Sequence, residues 1–156
     1  MTTRYKLTFV GLGIIAGAAM FGATNPEFRD YVQRKLDVQG REILATAEGD
    51  LLNDGTLVKA IKYRGTDGIF VEVFKTKPGS EEAYSLVDKI DLPDKHDGLF
   101  NFHGHVTRLA ITDVDGNGSM ELLAPTFDAQ LVPHLNIFKY NSTLGKFEAM
   151  QPPEKP

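Results

Sequence analysis

Asp113, Asp115, Asn117 and Glu121 stand at positions 1, 3, 5 and 9 of the stretch Asp113-Val114-Asp115-Gly116-Asn117-Gly118-Ser119-Met120-Glu121. Oxygen donors at this spacing suit a hard cation such as Ca²⁺, which takes about six to eight oxygens from carboxylates, amides and backbone carbonyls. The alternation lets Asp113, Asp115 and Asn117 converge on one point. The carbonyl of Ser119 can join them, and Glu121 can close the far side. Gly116 and Gly118 supply the positive φ angles that so tight a wrap requires. The plain alternative is a metal-free turn, because Asp, Asn and Gly favour turns on their own account.

Gly118 falls at loop position 6, where an EF-hand also carries glycine, but an EF-hand ends on a bidentate Glu at its twelfth position. Here that position is Ala124. The flanks Leu109-Ala110-Ile111-Thr112 and Leu122-Leu123-Ala124-Pro125 read as short apolar strands and not as helices. A calcium loop between two strands, Asp-x-Asp-x-Asn-Gly-x-x-Glu followed by Leu-Leu-Ala-Pro, resembles the FG-GAP or VCBS-like repeat. That repeat builds the calcium-bearing blades of integrin α-chain propellers and of many bacterial surface proteins. The resemblance implies a four-stranded antiparallel blade with the metal loop at its edge.

A faded copy lies upstream. Gly49-Asp50-Leu51-Leu52-Asn53-Asp54-Gly55-Thr56 matches the Gly-Asp-x-Asn-x-Asp-Gly-Thr opening of the same repeat. Asp50, Asp54 and Gly55 keep positions 1, 5 and 6, while Leu52 and Val58 hold positions 3 and 9 without a side-chain oxygen. This copy is expected to keep its turn and to bind no metal. The two copies begin 63 residues apart, which suggests an internal repeat.

The elements that must position these loops read as strands. Leu57–Tyr63, Ile69–Phe74 and Tyr84–Leu92 follow the first copy; Glu121–Pro125, His134–Tyr140 and Lys146–Met150 follow the second. Short connections predict an antiparallel meander. Two blade-like units are too few to close a propeller ring, so sheet edges must be covered by the domain itself or by docking. His103 and His105, two apart, would point the same way if they lie on a strand, and could then bind a transition metal with His134 or Asp128. Ordinary hydrogen-bonded histidines are the simpler reading.

Upstream, Leu7 to Thr24 carry no charge across 18 positions. As a helix they would span roughly 27 Å, just enough for a bilayer core. Arg4 and Lys6 before the run, with Glu27 and Asp30 after it, predict a cytoplasmic N-terminus and a periplasmic or extracellular remainder. Gly13, Gly17 and Gly22 lie on small-residue spacings that let a neighbouring helix approach. Cleavage near Ala16-Gly17-Ala18 as a signal peptide is the rival. Asn25-Pro26 then opens an amphipathic helix with Phe28, Tyr31, Val32 and Leu36 on one stripe.

The expected class is therefore α+β: residues 1–24 an anchor or signal, 25–41 an amphipathic helix and linker, 42–150 a mainly antiparallel domain of about two blade-like units, and 151–156 a proline-rich tail. With 156 residues and 42% hydrophobic content, one domain plus an appendage fits. A net charge of −4 gives no basic footprint for nucleic acid. The absence of cysteine excludes disulfides, thiolate nucleophiles and cysteine-ligated clusters. No Gly-x-Ser-x-Gly or His-Glu-x-x-His motif supports catalysis. Two functions follow as expectations. One is a non-catalytic, membrane-anchored accessory subunit, its Ca²⁺-stabilised domain docking on a larger membrane complex through Gly13, Gly17, Gly22 and the sheet edges. The other is a secreted calcium-binding module recognising carbohydrate or a surface ligand.

Overall fold

The computed structural model describes residues 30–31, 40–77 and 83–150. Its strands are β1 (Glu42–Gly49), β2 (Val58–Arg64), β3 (Ile69–Thr76), β4 (Tyr84–Asp91), β5 (His96–Asp97), β6 (Phe100–Phe102), β7 (His105–Thr107), β8 (Ala110–Thr112), β9 (Glu121–Phe127), β10 (Pro133–Asn141) and β11 (Lys146–Met150). Strands make up 58% of the described chain, so the α+β expectation is corrected to all-β. Asp30 and Tyr31 are helical, and no other described residue is. Among the described residues no helix is long and apolar enough to cross a membrane. The single-pass topology, with the localisation it implied, therefore has no support in the structure. Residues 1–24, with Gly13, Gly17 and Gly22, lie outside the described residues, as do Phe28, Val32 and Leu36 of the expected stripe.

β1 to β4 form a four-stranded antiparallel meander in chain order. The second sheet runs β11-β10-β9-β5, with β8 also on β9. β8 pairs with Glu121 to Leu123 and β5 with Thr126 and Phe127, so the two share one edge of β9 end to end. Pro125 sits beside the gap between them, where its missing N–H leaves no ladder bond broken on that edge. A separate hairpin, β6–β7, is inserted in sequence between β5 and β8 of the second sheet.

Period-two alternation sends successive side chains to opposite faces. From the first sheet Val58, Ala60, Val71, Val73 and Ile90 face inward; from the second Leu109, Leu122, Ala124, Phe138 and Phe147 meet them in one core. Gly49 lies close against the second sheet: a Cβ there would stand 2.7 Å from the Ile111 side chain.

The loop copies reveal how the sheets are related. Val58, at position 9 of the first copy, faces the shared core, yet in the second copy it is Leu122, one residue past position 9, that does so. Equivalent positions thus face the same way along a stack, front of one sheet on the back of the next. A twofold sandwich would have put equivalent positions on both inner faces. The two outer faces carry their own clusters. Ile61, Phe74 and Tyr84 are packed by Tyr31 on one side; Ala110, Leu123 and Ile137 are packed by Phe100 and Phe102 of the β6–β7 hairpin on the other.

Inside the shared core sits an unexpected cation. Lys62 is fully buried. Its ammonium contacts Asp97 Oδ1 at 2.6 Å and donates to the carbonyls of Pro125 at 2.5 Å and Arg108 at 3.1 Å. It therefore fills the gap between β8 and β5. Burial lowers its pKa, against the opposing pull of Asp97.

Candidate metal centre

β8 leads into the loop 113–121 and β9 leads out of it. Asp113 organises the turn. Its Oδ1 accepts the N–H groups of Gly116 at 2.7 Å and Asn117 at 3.2 Å, and its Oδ2 accepts that of Gly118 at 2.7 Å. Gly116 (φ 73) and Gly118 (φ 86) hold the left-handed backbone that this wrap demands. These N–H groups, that of Gly118 first, hold the Asp113 carboxyl below the usual carboxylate range, although partial burial pulls the other way.

One oxygen each from Asp113, Asp115 and Glu121 can be chosen so that all lie within 4.8 Å of one another. Among the described residues no other group of three or more acids and histidines is gathered this way. Asn117 makes hydrogen bonds within the loop. Its Oδ1 accepts the Ser119 N–H at 2.7 Å and its Nδ2 donates to Asp115 Oδ2 at 2.7 Å. In this arrangement Asn117 braces the loop. Ser119 enters through its N–H.

Glu121 is the unusual member. It is fully buried, and its Oε2 accepts the Val114 N–H at 2.9 Å. Its Oε1 is buried without any hydrogen bond. The nearest cation is the Lys139 ammonium, 3.2 Å from that oxygen and 3.8 Å from Asp115 Oδ2, an ion pair lacking hydrogen-bond alignment. Lys139 escaped the sequence reading because it belongs to β10. The register that pairs Phe138 with Leu122 sets it opposite Glu121.

The upstream loop makes the same turn. Asp50 accepts the N–H groups of Asp54 at 3.2 Å and Gly55 at 2.9 Å, and Asp54 accepts that of Thr56 at 2.8 Å, as Asn117 does from Ser119. The loops are neighbours: Met120 N–H donates to Asn53 Oδ1 at 3.2 Å. Position 9 of this copy is Val58, fully buried like Glu121.

The histidine alternative does not assemble. His103 (φ 50) and Gly104 (φ 83) form the turn of the β6–β7 hairpin, so His103 and His105 are not alternate residues of one strand. His134 Nδ1 is 2.8 Å from Asp94 Oδ2, to which Thr126 also donates at 2.6 Å. Asp128 caps its own loop, accepting the N–H groups of Gln130 and Val132.

Fold and site together define a two-sheet β domain with a carboxylate cage at one end of its central strand. In comparisons with known proteins, the chain matches no family model, no curated protein and no solved structure.

Proposed function

We propose that this domain is a non-catalytic interaction module whose second loop is fixed by Ca²⁺, in the manner of an FG-GAP-type blade, and that it docks on a larger protein partner. The observation that carries the calcium reading is the buried Oε1 of Glu121, without a hydrogen bond and gathered with Asp113 and Asp115. Burying a carboxylate is costly, and the part-exposed Lys139 ammonium, 3.2 Å away without hydrogen-bond alignment, offsets that cost only in part. The sister loop avoids that penalty with valine. Three hard carboxylate oxygens suit Ca²⁺ better than a softer transition metal, and backbone carbonyls and water can complete its shell. The ion would serve the fold: it draws β8, β9 and the loop together. The docking part rests on the open edge of β1, with exposed Ile43 on it and exposed Leu99 and Val106 across the groove lined by Leu44 to Thr46.

Thermal melts of the full chain with Ca²⁺ and with chelator test the reading. Wild type is expected to melt higher in Ca²⁺, and Asp113→Ala or Glu121→Ala to lose that rise. One melting temperature for wild type in both solutions would sink the metal assignment.

A further inference from the structure

Lys139 occupies the position a tethered counter-ion would take. Its ammonium lies 3.2 Å from the buried Glu121 Oε1 and 3.8 Å from Asp115 Oδ2, two of the three acids gathered in the cage. It arrives on β10 by register, so every folded molecule delivers it there. A second carboxylate is within reach on the same face of the sheet, because Glu148 of β11 is the cross-strand partner of Lys139. Directly paired residues have Cβ atoms about 4.5–5.5 Å apart, close enough for a long side chain to change partner. Lys139 is 36% exposed and Glu148 is exposed, so the outward path is open to water. The first sheet keeps the same design. Lys75 on β3 pairs with Val58, the position equivalent to Glu121, and its charge acts on Asp54 in the neighbouring loop.

We propose that Lys139 is a built-in competitor for the divalent ion: it neutralises the cage when no metal is present, and it must swing toward Glu148 for Ca²⁺ to enter. This rests on the calcium reading above and adds a control to it. Two cations cannot share Glu121 Oε1 without strong repulsion, whereas a vacated Oε1 with no cation at all is a buried, unpaired charge. The lysine thus sets a threshold concentration below which the loop is held by the chain's own charge. Its position also explains how the loop keeps its shape with Glu121 inside.

Calcium titration of the full chain by calorimetry, with melts in chelator, tests this on wild type, Lys139→Gln and Lys139→Arg. Lys139→Gln is expected to bind Ca²⁺ about ten-fold tighter, the size of one charge-assisted contact removed from the competing state. It should melt lower than wild type in chelator, while Lys139→Arg keeps wild-type-like affinity. Equal or weaker calcium binding by Lys139→Gln overturns the competitor, even where wild type binds calcium and the metal reading stands. Binding by Lys139→Gln alone upholds the competitor and refutes calcium occupancy of the natural chain. No binding by any of the three overturns both.

Discussion

The two loops have the same backbone and different chemistry. In each, the aspartate at position 1 gathers the N–H groups of positions 5 and 6, and the side chain at position 5 takes the N–H of position 7. Asn53 (φ 55) and Gly55 (φ 82) even match the left-handed angles of Gly116 and Gly118. Yet the first loop has Leu52 and Val58 where the second has Asp115 and Glu121. The wrap therefore needs an aspartate at position 1, a left-handed residue at position 4, an Asp or Asn at position 5 and a glycine at position 6, and its shape is no argument for a metal. What separates the loops is the residue buried at position 9.

The sharpest way to break this comparison is to exchange those residues. Val58→Glu buries a carboxylate in the shared core, and in chelator it should lose about 3–5 kcal/mol, read by urea unfolding. Glu121→Val should have the opposite sign in chelator and melt above wild type. If both changes destabilise alike, position 9 is not equivalent in the two copies. In calcium at 100 times Kd, the Glu121→Val chain should forgo the whole ligand stabilisation, about 2.7 kcal/mol, which a calcium series of melting curves would read. Gly55→Ala and Gly118→Ala should each cost about 1–2 kcal/mol, since both meet open space and only the left-handed backbone penalises the methyl group. Unequal losses in chelator would mean that one loop is strained in a way the other is not.

The smallest effect is with acid. Asp54, through the Thr56 backbone N–H first, and Asp113, through that of Gly118, have lowered pKa values. Their stabilisation is complete above the unfolded value near 3.9 and disappears as pH falls through the lower folded values. Both Asp54→Asn and Asp113→Asn should therefore flatten the loss of stability below about pH 4. An unchanged acid limb in either variant would remove that loop from the titration.

Local spacing made the loops and most strands legible. β11 begins and ends at the predicted residues, and β2, β3 and β10 differ from expectation only at their ends. β1 was not foreseen, because Ala45 and Ala47 weaken the strand signal of Ile43 and Leu44 and no polar alternation marks it. The β6–β7 hairpin was hidden in a stretch that is polar and aromatic by turns and carries no clear strand signal, where His103-Gly104 turns the chain. Lys62 looks like a solvent-facing strand residue until β5 brings Asp97 to it. Lys139 was invisible for the same reason: which acid a lysine meets is decided by strand register, which sequence spacing does not reveal.

Front-to-back stacking has a further consequence. An arrangement that joins unlike surfaces has no natural stopping point, in contrast to a closed pair. Tyr31 at one end and the Phe100–Phe102 hairpin at the other act as stoppers. Deleting the hairpin would uncover Ala110, Leu123 and Ile137 to the opposite end of another molecule, and the product would be open-ended polymers rather than dimers.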